Sequence, residues 1–228
     1  MRCNWQAASC FLLSLLSACQ PGTPAPPEAR TATDSPMGAA SGVSRADHGA
    51  GSRQGRIIPL TPMTGDVELL YGNPETPGEP FVMRIRELPG TKVPPHTHPV
   101  DEHITVVQGT WYFGLGTEYR QEDLRELKAG SYAFAPAGTS MFGFSPDGAI
   151  VQVHGIGPFR IHWLGELATL DDKGADAVFR FPRGAHVRAG DRAGTIAEGY
   201  RSGSVKQYEI ETVNGERFMA DEASVHLQ

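Results

Sequence analysis

Cysteine is nearly absent from this 228-residue chain. All three cysteines, Cys3, Cys10 and Cys19, lie within the first nineteen residues, and the rest of the chain has none. A disulfide framework and thiolate catalysis are therefore excluded for the body of the protein.

Positive charge is also sparse, because 20 lysine and arginine residues stand against 26 acidic residues, and the net charge is −6. No basic cluster occurs, so a nucleic-acid partner bound through its phosphates is excluded. Only 20% of residues are charged, whereas the chain has 27 glycines and 18 prolines. This composition indicates a turn-rich β protein, and the length allows one barrel-sized domain plus a small unit.

The sequence also lacks an apolar run long enough for a stable membrane span. A short apolar run, residues 11–16, follows Arg2 and precedes Ser17, Ala18 and Cys19. This pattern predicts a secretory signal over residues 1–19. Leu16-Ser17-Ala18-Cys19 resembles the bacterial lipobox, which implies acylation of Cys19, a membrane anchor and a periplasm-facing position in the cell envelope. An ordinary cleaved signal with a chance cysteine is the alternative.

Residues 20–54 are rich in Pro, Gly, Ala, Thr and Ser without any apolar period, which predicts a disordered tether. Residues 55–165 then alternate short β-branched or aromatic runs with glycine and proline turns. This segment is predicted to be all-β, a sandwich or barrel of the jelly-roll type. Ser145-Pro146-Asp147-Gly148 is predicted to be the turn of a hairpin.

One motif carries chemistry. Gly90, His96, His98, Glu102 and Gly109 match every spacing of the first cupin motif, so the segment resembles a cupin barrel. That resemblance implies one divalent metal ion bound by His96, His98 and Glu102. Residues two apart on a strand share a face, so both imidazoles point the same way whatever the family. Two histidines with one carboxylate leave positions open and suit Fe, Mn, Zn, Ni or Cu.

The second cupin motif is only partly present, because Met141 stands where that motif has a histidine ligand. Met141 is interpreted as an apolar plug, as a soft ligand that favours copper, or as the mark of a poorly metallated site. If the 145–148 hairpin has even parity, Gln152 and His154 share the inner face with Met141 and are candidate replacement ligands. Tyr112 is a candidate for the pocket mouth or for the core.

Other histidines are assigned to the structure rather than to the metal. His103 follows Glu102 directly, so strand alternation should turn it away from the site. His162 is also predicted to be structural. No general base stands out in the sequence, so catalytic residues beyond the metal ligands stay unassigned.

The C-terminal part restarts the strand rhythm. Residues 166–183 are predicted to be a linker, and residues 184–228 a small SH3-like β module with a two-residue turn at Asn214-Gly215. The whole chain is thus predicted to be a cupin jelly-roll barrel followed by this module.

Two functions remain open. One is an envelope enzyme that acts on a small organic substrate, by dioxygenase-type oxidation or else as an isomerase or lyase. The other is a non-catalytic module that binds or senses a metal or small ligand near the membrane. The cupin resemblance also makes a homodimer a candidate assembly.

Overall fold

The computed structural model describes residues 57–228, together with Gly55 and the backbone of the two-residue strand Ser44–Arg45. The predicted signal peptide, Cys19 and most of the predicted tether lie outside the described residues. Within the described part, no helix is long and apolar enough to cross a membrane.

Short strands dominate the described chain. The first ten are β1 (Ser44–Arg45), β2 (Val67–Tyr71), β3 (Pro80–Glu87), β4 (Thr91–Thr97), β5 (Glu102–Leu115), β6 (Arg125–Lys128), β7 (Tyr132–Ala135), β8 (Met141–Ser145), β9 (Ala149–Ile156) and β10 (His162–Trp163). The remaining elements are β11 (Ala168–Thr169), α1 (Ala175–Val178), β12 (His186–Ala189), β13 (Arg192–Ser202), β14 (Val205–Glu211), β15 (Arg217–Asp221) and β16 (Val225–Leu227). Two short 3-10 helices cover Gln121–Asp123 and Glu222–Ser224.

The long strand β5 joins the two layers of a barrel. Its first half pairs with β7 and β9, and its second half pairs with β6 and β8. One layer has the order β1-β2-β3-β9-β5-β7, and the other has the order β10-β4-β8-β5-β6. All pairs are antiparallel except β1 with β2. This arrangement confirms the predicted cupin-type jelly roll.

The apolar side chains of alternate positions fill the space between the layers, as expected for half-buried strands. The central cluster consists of Phe81, Met83, Ile104, Val106, Trp111, Ala149, Val151, Val153 and Phe159.

The predicted hairpin at residues 145–148 is wrong. Strand β8 pairs with β4 and β5, whereas β9 pairs with β3 and β5, so residues 146–148 cross from one layer to the other. A jelly roll alternates between its two sheets along the chain, and a turn sequence alone does not distinguish a crossing from a hairpin. The parity argument that placed Gln152 and His154 beside Met141 therefore fails.

The C-terminal part is a meander. Strands β12 to β15 pair in order, and β16 returns to pair with β12. The predicted strands are present, while the SH3-like assignment stays a prediction. The predicted two-residue turn is a three-residue turn, since the Thr212 N–H donates to the Glu216 carbonyl over 2.9 Å and Gly215 has a φ of +79°.

The segment predicted to be a linker contributes to this second core. Strand β11 pairs with β13, and Phe179 and Phe181 are buried with Tyr208 and Ile210. Below, "C-terminal module" means residues 166–228.

The C-terminal module docks onto the barrel through a buried glutamine. Gln207 is 1% exposed, and its Oε1 accepts hydrogen bonds from the Lys92 N–H at 2.9 Å and the Tyr200 hydroxyl at 2.8 Å. Its Nε2 donates to the Gly90 carbonyl at 2.9 Å and to Asp221 Oδ1 at 3.0 Å. Since every hydrogen-bonding group of the Gln207 side chain has a partner, the two parts form one packed body.

Candidate metal centre

Two prolines place the histidine pair. The pairing of β4 with β8 shifts register between Val93 and His96, so Pro94 and Pro95 form a bulge. Proline has no N–H to donate to a neighbouring strand, which is why bulges accept it. After the bulge, His96 pairs directly with Met141 of β8 on one side and with Trp163 of β10 on the other.

Hydrogen bonds fix the protonation of both imidazoles. His96 Nδ1 lies 2.8 Å from the Pro94 carbonyl oxygen, and His98 Nδ1 lies 2.7 Å from the Arg160 carbonyl oxygen. A carbonyl oxygen only accepts, so each Nδ1 carries a hydrogen and donates it. In the neutral ring each Nε2 then presents a lone pair, which is the form that binds a metal.

Aromatic side chains enclose the pair. The Phe159 ring stacks on His98 with centroids 4.2 Å apart and planes 16° apart. The Trp163 ring packs on His96 with centroids 5.4 Å apart. The rings of His96 and His98 meet edge to face at 4.9 Å, and both side chains are buried.

Glu102 completes the group from the start of β5. Its Oε2 lies 3.5 Å from His98 Nε2, is buried, and has no hydrogen-bond partner in the described part of the chain. That separation is too long for a hydrogen bond, and Nε2 has no hydrogen to give. An ionised carboxylate oxygen and the Nε2 lone pair are both acceptors, so this contact is unfavourable in a buried place whenever Glu102 is ionised.

Burial shifts the pKa values of these groups toward their neutral forms. It raises the pKa of Glu102 to about 7. Burial, and then the neighbouring His96, lower the pKa of His98 to about 3. Burial also lowers the pKa of His96, against the hydrogen bond to Pro94. A bound cation would reverse the cost of ionising Glu102.

The three donors suit a divalent metal in their chemistry, and one pair of them does so in its spacing. Two atoms bound to one tetrahedral ion at 2.0–2.2 Å lie about 3.4 Å apart, close to the 3.5 Å between Glu102 Oε2 and His98 Nε2. However, among residues 57–228 no three His, Cys, Asp or Glu side chains already stand in an arrangement that could hold an ion. The structure brings the three predicted ligands together without placing all of them around one ion position.

A turn from the second motif holds the ligand segment in place. Asp101 Oδ1 accepts a hydrogen bond from the Ala137 N–H at 2.8 Å, and the His98 carbonyl accepts one from the Gly138 N–H at 2.8 Å. The Pro136-Ala137-Gly138 turn therefore fastens the chain on both sides of the connection between His98 and Glu102.

Met141 is buried opposite His96, as its motif position predicts. The other candidates lie elsewhere. Gln152 pairs with Thr105, and His154 with His103, on the face of β5 opposite to Glu102. Neither can join the metal ligands, because adjacent residues of a strand point to opposite faces and the buried Val153 takes the inner position.

The prediction that Tyr112 lines the pocket mouth also fails. The buried Trp111 takes the inner position on β5, so Tyr112 faces outward, where its hydroxyl donates to Glu126 Oε1 at 3.3 Å. A run of three aromatic residues gave no sign of which one points inward.

The segment 159–163 was missed as part of the centre. It supplies the Phe159 ring, the Arg160 carbonyl and the Trp163 ring. His162 belongs to it as well, since the charge of His162 contributes to the lowered pKa of His98. These contacts join residues about sixty positions apart, so no local pattern could reveal them.

No protein-family model and no curated protein matches the sequence. Solved structures do resemble it. A Klebsiella pneumoniae protein with a double-stranded β-helix domain is 22% identical, with 48% of this chain and 98% of that chain aligned and a TM-score of 0.36.

KdgF from a Halomonas species is 20% identical over 40% of this chain and 77% of its own, with a TM-score of 0.32. The DMSP lyase DddQ from Ruegeria pomeroyi is 22% identical over 34% of this chain, with a TM-score of 0.30, and only 38% of the lyase is aligned. These likenesses are distant, so the cupin fold is assigned from the chain's own strand pairing and motif spacing.

Proposed function

We propose that this cupin barrel binds one divalent metal ion through His96, His98 and Glu102 and acts on a small organic substrate. The proposal depends on one observation, the buried and unpartnered Glu102 Oε2 facing the lone pair of His98 Nε2. A carboxylate and two neutral imidazoles suit Fe, Mn, Zn, Ni or Cu, and the identity of the ion is part of the test. A metal held here would supply a Lewis acid or a binding position for O₂.

The enzyme hypothesis follows from the small number of ligands. With methionine in place of a fourth histidine, three protein ligands leave coordination positions free for a substrate. The rings of Phe159 and Trp163 exclude water from the histidines and offer apolar contacts to a small ligand. Dioxygenase-type oxidation is the reaction that we propose first, with isomerisation or elimination as alternatives on the same site.

A non-catalytic metal-binding or sensing module is the second candidate. It is favoured by the observation that the three donors, within the described residues, do not stand ready around one ion position. Binding would then move the three donor side chains toward one ion position, as expected for a sensor.

Metal analysis tests the binding step. Protein purified without a histidine tag should contain about one metal ion per chain. The variant His96→Ala should lose it, whereas His162→Ala should retain it if His162 only supports the site. A wild type with no metal after isolation and reconstitution would contradict the proposal.

Oxygen uptake tests whether the protein is an oxidative enzyme. The metallated protein is offered catechols, β-diketones and flavonols, and oxygen consumption is recorded beside the His96→Ala variant. Uptake that the variant lacks supports the oxidative enzyme. Metal binding without oxygen uptake rules out the oxidative enzyme and leaves isomerisation, elimination or the sensing module.

The cellular position is a separate proposal, based on the lipobox-like Leu16-Ser17-Ala18-Cys19. We expect an acylated Cys19 to hold the barrel at the periplasm-facing membrane surface. A clickable fatty acid should label the wild type in bacterial cells and should not label Cys19→Ser. Equal labelling of both would rule out the anchor. The candidate homodimer is tested by light scattering of the same preparations.

A further inference from the structure

The outer face of the barrel carries a second histidine pair. His103 of β5 and His154 of β9 are direct cross-strand partners. Phe134 of β7 continues the same row on one side, and Val82 of β3 continues it on the other. Because Glu102 points inward, its neighbour His103 points outward, and the pair lies on the opposite side of the sheet from the candidate metal centre.

The two imidazoles face each other closely. Their centroids are 4.7 Å apart and their planes differ by 9°. Both side chains are partly exposed, so ions can reach the ring edges from solvent. Burial, and then His103, lower the pKa of His154 below its usual value.

A hydroxyl group supports one of the rings. His103 Nδ1 lies 2.6 Å from the Tyr132 hydroxyl oxygen. When Nδ1 donates to that oxygen, Nε2 is left with a free lone pair. Metal-binding histidines commonly have such a partner on the nitrogen that does not bind the ion. Phe134 packs on the same ring with centroids 4.9 Å apart, which limits its rotation.

We propose that His103 and His154 form a second metal site, a surface chelate for a borderline divalent ion such as Cu²⁺ or Zn²⁺. Two donors at about 2.0–2.1 Å from one ion are at most about 4.2 Å apart. Because the two planes are nearly parallel, their in-plane lone pairs do not converge, so the side chains must rotate before two ring nitrogens lie within that limit and face one ion.

The ligand set decides which ions bind. No carboxylate pairs with either histidine in this row, and imidazole alone suits Cu, Ni and Zn, whereas Mg²⁺, Ca²⁺ and Mn²⁺ prefer oxygen ligands. The surface pair should therefore not bind Mg²⁺ or Mn²⁺, while the proposed inner centre with Glu102 should accept a wider range of metal ions.

Titration calorimetry of the full, chelator-stripped chain tests this site with CuCl₂, ZnCl₂ and MgCl₂ in separate runs. The wild type should bind two Cu²⁺ ions per chain. His154→Phe and His103→Phe, which keep a planar ring in the row, should each weaken one of the two events at least tenfold and leave the other unchanged. Tyr132→Phe, which removes only the hydroxyl, should weaken the same event by a smaller factor.

His186→Phe is the matched control, because His186 is an exposed histidine of the C-terminal module. It should leave both binding events as they are. Thermal unfolding of each variant checks that the fold is retained. In addition, the electron paramagnetic resonance spectrum of Cu²⁺ bound to His96→Ala should show hyperfine coupling to nitrogen. Adding His154→Phe to this variant should reduce that coupling.

The outcomes separate the two metal proposals. If His96→Ala still binds one Cu²⁺ and His154→Phe binds the other, both sites stand. If His154→Phe alone abolishes all binding, the surface site stands and the inner centre falls. If both ring variants bind copper with the wild-type number and affinity, the surface site is refuted.

Discussion

At the scale of single residues, Glu102 has opposite effects on the stability of the fold and on the proposed metal binding. The proposed metal centre needs the carboxylate of Glu102, yet among the described residues the buried Oε2 has no hydrogen-bond partner. An arrangement that is costly for folding and useful for binding is typical of a functional site. Stability and metal binding should therefore respond to substitution of Glu102 in opposite directions.

Glu102→Gln should stabilise the metal-free protein by about 1 kcal/mol at pH 8, since the amide is uncharged and can donate to His98 Nε2. The same variant should lose the stabilisation that added Zn²⁺ gives the wild type. Thermal unfolding with and without the ion measures both effects. A metal-free midpoint below that of the wild type would contradict this account.

Glu87 predicts how stability depends on pH. Burial, and then the nearby Asp66, raise the pKa of Glu87 to about 7 from a usual value of 4.5. The folded chain therefore holds this proton more tightly than the unfolded chain does. The resulting stability is fully present below pH 4.5 and is lost as the pH rises to about 7.

Glu87→Gln should remove this dependence. Because the side chain keeps some solvent contact, we expect the variant to exceed the wild type by about 2 kcal/mol at pH 8 and to equal it near pH 4.5. Urea unfolding at several pH values gives the difference. A gap that is constant across this range would exclude Glu87 as its source.

At the scale of elements, Gly90 ends the turn before β4 and also receives the C-terminal module. A Cβ at Gly90 would lie 2.2 Å from the Met219 carbonyl oxygen, and its φ is +86°. Gly130 has a similar φ of +90° and nothing within 4 Å of its would-be Cβ. Substituting these two glycines therefore distinguishes the cost of a left-handed backbone, present at both positions, from the cost of a steric clash, present only at Gly90.

Gly130→Ala should cost about 1–2 kcal/mol of unfolding free energy, from the left-handed backbone alone. Gly90→Ala should cost at least about 3 kcal/mol, because the module must also move away. Urea unfolding of both variants compares them. Equal losses of unfolding free energy would mean that the C-terminal module is not packed closely against Gly90.

Elements formed by neighbouring residues could be predicted from the sequence. The spacing of His96, His98 and Glu102 was enough to bring the three together, since alternation on a strand and a short connection are local properties. The crossing at residues 146–148 was not predictable, because the same turn residues serve a hairpin. Phe159 and Trp163 were missed for a different reason, because their partners in the centre are distant in the chain.

At the scale of the whole molecule, Gln207 makes the barrel and the C-terminal module depend on each other. It bonds to Gly90 and Lys92 of the barrel and to Tyr200 and Asp221 of the module. The sequence predicts a linker over residues 166–183. Its burial with the module core shows why composition alone misjudges such a segment.

We therefore expect one cooperative unfolding transition for residues 57–228. Tryptophan fluorescence, to which Trp111 and Trp163 of the barrel contribute, should change at the same urea concentration as circular dichroism of the whole chain. Gln207→Leu leaves the Gly90 carbonyl and the Lys92 N–H without partners, so it should cost about 2–4 kcal/mol. Two separate transitions in the wild type would contradict the coupling.

The hydrogen bond from His98 to the Arg160 carbonyl has a consequence for the order of events in the cell. The ligand ring is oriented by a residue that the ribosome adds 62 positions later. A chain exported before it folds thus has no oriented centre in the compartment of its synthesis. Affinity among these ions generally follows one chemical order, so the ion that binds depends on which ions are available. If the chain is exported unfolded, as the proposed signal implies, the ion bound at the proposed centre would depend on the compartment in which residue 160 reaches its place.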